Sequence, residues 1–314
     1  AFLSGGIDSS SLVASMQRLS STPIRTFTVG FSEAGYDESQ YAAEVAAALG
    51  TDHTEIVVSP EDAMRVIPAL PTIYDEPFAD SSQIPTYLVS KMAREHVTVA
   101  LSGDGGDELF GGYDRYQQIN RLERLRNSLP ASFRRALGAV FQRLPVELWD
   151  RMGKGLPKFV LPPGLRHRTG YRMHKVGGLL AADGGSDLYA SLMSIENQGD
   201  SLVLGAEGDQ LEFVGVPNVQ QWDVSPFERA MLIDTLTYLP GDLLTKVDRA
   251  SMAVSLEVRV PFLDPDLFQF AWSLSPAHRV RDGQGKWLLR ELLRRSLPNH
   301  LVDRPKMGFG IPVG

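Results

Sequence analysis

Two glycine-rich stretches hold the residues whose types and spacing are suited to chemistry. The first is Ser4-Gly5-Gly6-Ile7-Asp8-Ser9-Ser10. Paired glycines let the main chain turn sharply with its N–H groups facing one concavity. A helix predicted from Asp8, with Leu12, Val13, Met16 and Leu19 on its apolar face, adds its positive end, and the two together make a phosphate cradle. Neither GxxxxGK[ST] nor GxGxxG describes it; Gly285-Lys286 is followed by Trp287, with Val280 where the first Walker glycine would stand. A carboxylate beside a phosphate is repulsive unless a divalent cation bridges them. Asp8 therefore points to Mg²⁺ with a polyphosphate, against the simpler alternative of a helix cap.

The second stretch is Leu101-Ser102-Gly103-Asp104-Gly105-Gly106-Asp107-Glu108-Leu109-Phe110-Gly111-Gly112-Tyr113. Its glycines again expose bare backbone, and Asp104, Asp107 and Glu108 group three acids that could hold a metal or orient an amine. Asp107 is the second Mg²⁺ candidate, opposite Asp8, because a metal bridging phosphates commonly takes one or two carboxylates. The alternative is the ordinary preference of acids for a helix N-terminus.

These loops need elements to position them. Residues 1–3, 25–31, 53–58 and 97–102 read as strands and residues 8–19, 37–49, 60–73 and 84–95 as helices. Strands alternating with crossover helices predict an α/β fold with a parallel sheet, ligand at the carboxyl ends of its strands, and both loops facing one crevice. From about Tyr113 the pattern turns helical, broken by prolines and glycine pairs. There Lys246 and Arg249, three apart, share a helical face and suit either a site or salt bridges. Glu257 and Arg259 alternate in a short extended run and are expected to brace the loop at Pro261. Residue 1 is not Met and lies three residues before the first loop, so the natural protein is expected to extend beyond both ends.

Composition narrows the classes. A chain of 314 residues with 43% hydrophobic and 22% charged residues is globular rather than disordered or fibrous. No apolar run suits a membrane span. The absence of cysteine excludes disulfides, thiolate metal sites, iron–sulfur clusters and a cysteine nucleophile on this chain. Its six histidines fall in no zinc spacing. The net charge of −7 argues against broad nucleic-acid binding. Residues 115–181 nonetheless carry fourteen Lys/Arg against three acids, which fits an arginine-rich helical surface layer or a docking face for an anionic partner.

The first loop resembles the pyrophosphate loop of ATP pyrophosphatases, and the second resembles a signature of the glutamine-dependent asparagine synthetase family. Two further blocks fit the same family. They are Asp242-Leu243-Leu244-Thr245-Lys246-Val247-Asp248-Arg249-Ala250-Ser251-Met252, running into Leu256-Glu257-Val258-Arg259-Val260-Pro261-Phe262-Leu263-Asp264, and Arg304-Pro305-Lys306-Met307-Gly308-Phe309. Residues of about 120–225 match nothing diagnostic. The resemblance is to the synthetase half only; the family's glutaminase domain, with its cysteine nucleophile, is not on this chain.

What the resemblance implies is a parallel-sheet nucleotide-binding core of the adenine nucleotide alpha hydrolase (PP-loop) type with a mostly helical C-terminal half. Residues 1–314 would form one asparagine synthase domain, with the core in 1–119 and a helical part completing the active site in 120–314. It implies that ATP adenylylates the aspartate side chain, pyrophosphate leaves, and ammonia displaces AMP to give asparagine. ATP would meet Phe2, Leu3, Ser4, Gly5, Gly6, Asp8, Ser9, Val29, Ser102, Gly103 and Lys246, with Mg²⁺ on Asp8 and Asp107. Lys306 would meet charge developing at the α-phosphate. Lys91 falls near a family position holding a base, and Tyr113 either bridges substrate and loop or packs. Asp104 stands where the family often carries Glu, to receive an α-amino group. Relatives that amidate sugar uronic acids or close β-lactam rings share the mechanism; an RNA-modifying pyrophosphatase and a non-catalytic nucleotide module are the other readings. The expected partners are small molecules and a glutaminase domain, with a homodimer left open, no nucleic acid and no membrane span, in the cytoplasm.

Overall fold

The computed structural model describes residues 1–31, 39–155, 169–181, 189, 193 and 223–303. Its internal contacts form two units, Ala1–Tyr113 with Asp234–Gly314, and Asp114–Ile233. These boundaries differ from a division at 119/120, because the chain returns to the first unit at Asp234.

The first unit is built on a parallel sheet. Strand β1 (Arg25–Phe31) pairs with β2 (Asp52–Val58) from Arg25↔Asp52 to Phe31↔Val58, and β3 (Val99–Leu101) pairs with β4 (Glu257–Arg259) from Val99↔Glu257 to Leu101↔Arg259. Residues 1–3 join the two pairs. The Leu3 N–H donates to Phe27, the Phe27 N–H to Ala1 and the Phe2 N–H to Leu101, each at 2.9 Å. Across the sheet the order is therefore β2, β1, residues 1–3, β3, β4. Chain order reverses between residues 1–3 and β3, and that reversal opens a crevice at the carboxyl ends of the strands.

Alternation along the central strands covers both faces. Phe27, Val29 and Phe31 pack with Val58, Ile84, Val89, Met92 and Ala100 on one side, under α5 (Gln83–Arg94). Ala1 and Leu3 pack with Val13 and Ala14 of α1 (Ile7–Leu19) and Ala42, Val45 and Ala46 of α2 (Ser39–Leu49) on the other. Leu293, Leu297 and Leu301, from near the C-terminus, complete that second core. Six of the seven residues of β1 are buried, as expected of a strand sandwiched between helices.

One element differs from the sequence reading, and another gains a partner that the reading did not give it. The helix expected over 60–73 is α3 (Pro60–Val66), a 3₁₀ turn at Ile67–Ala69 and α4 (Leu70–Tyr74). Pro68 and Pro71 each lack the N–H that a continuous helix requires. The helical half also contributes β4, whose three residues carry one apolar side chain between two charged ones. The run reads as extended from its sequence, and its parallel pairing with β3 is what the structure adds.

The second unit is helical in its described parts: Asp114–Asn127, Ala131–Arg143, Val146–Gly155, Thr169–Ala181 and the start of Pro226–Leu236. Within it the buried Arg134 donates to the Leu180 carbonyl at 3.2 Å, and the Trp149 indole donates to Phe141 at 3.1 Å. Among the described residues no helix is long and apolar enough to cross a membrane.

Candidate nucleotide and metal site

Residues 1–3 run up the middle of the sheet and release the first loop at its carboxyl end. Gly5 takes φ +70°, a left-handed turn that favours glycine, and Gly6 is the N-cap of α1. With no side chain on the capping residue, the serines organise the loop. The Ser4 and Ser9 hydroxyls lie 3.1 Å apart, the Ser4 N–H donates to Ser9 Oγ and the Gly6 N–H donates to Ser4 Oγ, both at 3.2 Å. The N–H groups of a helix's first turn have no partner inside it, so this end of α1 suits an anion.

The second loop leaves β3 beside it. Ser102 Oγ donates to Asp104 Oδ2 at 2.5 Å, and Gly105, at φ +84°, turns the chain into α6 (Gly106–Phe110). Glycine lets the two loops touch. A Cβ on Gly103 would stand 2.8 Å from the Ser9 nitrogen, and one on Gly106 would overlap the Asp8 carboxylate. The two loops expected to face one another are thus in contact.

At its centre is a residue that sequence reasoning passed over. Lys286 Nζ bridges Asp8 Oδ2 and Asp107 Oδ1, the latter at 2.7 Å. The Lys286 side chain is 7% exposed and each carboxylate 16%. Burial alone would lower the lysine pKa, but Asp107 and Asp8 outweigh it and hold the ammonium above its ordinary range. The chain delivers Lys286 from a tight turn: its φ is +57° and its N–H donates to the Phe110 carbonyl at 3.0 Å. Glycines make room. A Cβ on Gly112 would collide with Lys286 Cε and Asp107 Oδ1, and one on Gly285 with the Gly111 carbonyl. Gly112→Ala is accordingly expected to cost about 1–3 kcal/mol, the range for overpacking a filled site. Urea unfolding checks this, and an unchanged midpoint would contradict the crowding.

The geometry also answers the helix-cap alternative for Asp8, since its carboxylate turns to Lys286. Asp8 and Asp107 converge on one cation position, here taken by an ammonium. A pair of acids with phosphate oxygens and water suits Mg²⁺, which seldom sits in an all-protein cage. Among the described residues no group of three or more acids or histidines is placed to hold a metal.

Glu108 lies beneath this pair, fully buried, accepting from the Tyr113 hydroxyl at 2.9 Å. Burial first, then the Asp107 charge, pushes its pKa up to about 7. Burial and the neighbouring Glu108 likewise raise the Tyr113 phenol, whose ring meets Tyr238 edge-on at 6.1 Å. Asp104 is raised by desolvation, against the Ser102 hydrogen bond and the charge of Lys246.

Lys246 forms a second buried pair, donating to Asp80 Oδ2 at 2.6 Å, while Arg249 meets Asp75 at 3.1 Å on the surface. Lys246 follows directly on a π-helical turn, Leu239–Leu244, a geometry frequent at functional sites. Desolvation would raise Asp80, but the bond and charge of Lys246 hold it below the usual carboxylate range. Asp242 is raised by burial and by Asp80.

The remaining expected residues fall as follows. Phe2 and Leu3 use their N–H groups in the sheet. Residues 1–3 end beside Phe27, so no described strand runs along Val29 on that edge. Ser102 and Gly103 stand at the mouth of the second loop. Lys91 is exposed in the last turn of α5 and is not gathered at the loops; a crossover helix runs back from the carboxyl ends of the strands, carrying its own C-terminus away. Glu257 and Arg259 pair with each other at 2.7 Å on β4. Lys306 lies outside the described residues.

Comparison with known proteins places these features in a family context. The family model described as asparagine synthase matches residues 1–314. The chain is 34% identical to asparagine synthetase [glutamine-hydrolyzing] 1 of Bacillus subtilis, over 99% of this chain and 46% of that protein. It is 36% identical to a putative asparagine synthetase [glutamine-hydrolyzing] of Mycobacterium tuberculosis, over 100% of this chain and 45% of that protein. A more distant relative, amidase chyE of Penicillium rubens, is 24% identical over 98% of this chain. The chain spans about half the length of the curated relatives it matches.

Proposed function

The chain belongs to the asparagine synthase family, and from that premise we propose that it is an ATP- and Mg²⁺-dependent ligase that amidates the side-chain carboxylate of aspartate. The observation that carries this reading is the convergence of Asp8 and Asp107, from two glycine loops, on one cation position at the sheet's switch point. The strand order supports a PP-loop nucleotide-binding core. We take residues 1–314 as one asparagine synthase domain whose core, expected in 1–119, is completed by β4 and by Leu293, Leu297 and Leu301.

In the first step an oxygen of the aspartate carboxylate attacks the α-phosphorus, the bond to the bridging oxygen breaks, and pyrophosphate leaves. Ser4, Gly5, Gly6 and Ser9 would receive the departing charge through hydroxyl and N–H donors, those of Ser4, Gly6 and Ser9 exchanging their bonds within the loop for phosphate oxygens. Asp8 and Asp107 would hold Mg²⁺, which when bound neutralises phosphate charge. Phe2, Leu3, Val29, Ser102 and Gly103 bracket the nucleoside, while Lys246 and Asp104 order the polar side of the crevice. Tyr113, held by Glu108, closes the loop end. Lys306 supplies a cation for the α-phosphate, and Lys91 stays outside this set. In the second step ammonia attacks the acyl carbon, the carbon–oxygen bond to AMP breaks, and the amine sheds a proton.

The natural ammonia source on this reading is glutamine hydrolysed by a glutaminase domain, in line with the glutamine-hydrolyzing names of the relatives, and the location is the cytoplasm, where ATP and free aspartate meet. Pyrophosphate release from ATP and Mg²⁺ with ammonia tests it across a panel of carboxylates. Release is expected with L-aspartate and with ammonia in place of glutamine, and Lys306→Ala is expected to lower it about 100-fold or more, as for loss of one charge-stabilising group. Release that requires a uronic acid instead would overturn the acceptor, and none with any acid would overturn the ligase reading.

A further inference from the structure

Lys286 poses a question the proposed chemistry leaves open. Two carboxylates suited to a divalent cation already hold one positive charge, supplied by the chain. Its nitrogen is bonded to Asp8 and lies 2.7 Å from Asp107, whereas Mg²⁺ binds carboxylate oxygen at about 2.1 Å. The ammonium and a metal ion thus compete for one position, and both cannot occupy it.

The site is built for the lysine. Gly112 leaves the space it passes through, Gly285 lets its turn approach the Gly111 backbone, and the left-handed turn at Lys286 is pinned by the bond to Phe110. Its side chain is nine-tenths buried. Two nearby carboxylates without a cation would repel each other in a medium of low dielectric, so the lysine is their counter-ion in the free protein.

We propose that Lys286 is a resident placeholder cation: it closes the Asp8–Asp107 pair to free divalent metal, and is displaced only when metal arrives with nucleotide phosphates that can receive the ammonium. The inference rests on the reading of Asp8 and Asp107 as metal ligands. Metal and nucleotide then enter together, because phosphate oxygens give the displaced Nζ new partners, whereas the metal ion alone would strand it as a buried charge. Without nucleotide, the intrinsic dissociation constant for metal is divided by the fraction of molecules with the pair open, so binding weakens by that factor.

The test is Mn²⁺ binding, followed by the loss of the free-ion electron paramagnetic resonance signal, in wild type and Lys286→Met. Without nucleotide, Lys286→Met is expected to bind Mn²⁺ about 10- to 100-fold more tightly, the ratio for a site otherwise open in one-tenth to one-hundredth of molecules. With α,β-methylene-ATP present the two affinities should approach each other. Equal affinities without nucleotide would overturn the proposal alone; no Mn²⁺ binding to either chain, even with nucleotide, would overturn it together with the metal reading. Should Lys286→Met not fold, the wild type decides the matter by the side-chain ¹⁵N signal of Lys286, assigned by its loss in Lys286→Arg. That signal is expected to hold its position with Mg²⁺ alone and to shift with Mg²⁺ and the analogue. A shift with Mg²⁺ alone, or none with both, would overturn the placeholder.

Discussion

Asp8→Asn is expected to lower the kcat of aspartate-dependent pyrophosphate release by about 100- to 1,000-fold, the scale for losing one charge-stabilising group at a reacting phosphate. The substitution keeps the shape of the side chain, so Gly103 and Gly106 still pack against it. What it removes is one of the two negative charges that converge on the cation position. Lys286 retains Asp107 at 2.7 Å, so the fold has a partner for its buried ammonium and the melting temperature should move little. The separation of effects is the point of the experiment. A large fall in kcat with a near-native unfolding midpoint supports metal ligation by Asp8. Unchanged kcat would remove Asp8 from the metal site and leave it as a partner of Lys286 only. A collapsed fold with no change in residual specific activity would make its role structural.

In the absence of divalent cations, conformational stability is expected to fall as pH rises from about 4.5 to 7, and Glu108→Gln is expected to flatten that fall. Glu108 has its folded pKa raised to about 7 from an ordinary 4.5, first by burial and then by Asp107. Across this interval the folded chain binds a proton that the unfolded chain has released. Protonation therefore favours the folded state fully below the unfolded value, and the advantage is lost as pH climbs through the folded one. At about 1.4 kcal/mol per pH unit the gap amounts to about 3 kcal/mol. Asp104, also raised by desolvation, acts in the same direction. Asp80 acts in the opposite one: held low despite its burial by Lys246, it lends stability above the ordinary aspartate value that is lost in acid. Tyr113→Phe removes a hydrogen bond that lowers the Glu108 pKa, so the falling limb should move to higher pH. Urea unfolding across a pH series measures all three chains. A profile unchanged by Glu108→Gln would show that Glu108 does not hold the proton.

Much of the first unit is legible in the sequence because its signals are local. Serine and glycine within a few positions are enough to specify a tight turn into a helix, as found at Gly5 and Gly6. Alternating apolar runs and amphipathic stretches place β1, β2, α1, α2 and α5 close to their observed bounds. Prolines at 68 and 71 carry their consequence openly, and reading 60–73 as one helix gave its apolar spacing too much weight against them. β4 is different. Its extended run is legible from the alternation of Glu257 and Arg259, but which strand it joins is not, since Leu101↔Arg259 pairing is a property of the assembled sheet.

The site divides in the same way. Asp8 and Asp107 stand out because carboxylates in glycine loops demand an explanation on electrostatic grounds. Lys286 does not, because Gly285-Lys286-Trp287 looks like any turn into a helix, and its partner Asp8 is 278 residues away. Lys246 and Asp80 are 166 apart, and a shared helical face with Arg249 could equally have served salt bridges or a ligand. Lys91, suggested by the family resemblance, is exposed in the last turn of α5, and only the tertiary structure gives which end of a crossover helix a side chain occupies. The sequence by itself determined the two loops, the parallel α/β core around them and the family, since these rest on residue types and short spacings. Only the tertiary structure decided the strand order that opens the crevice and which cation stands between the two carboxylates. Those depend on long-range backbone pairing and on buried charges finding one another, and neither leaves a mark in local composition.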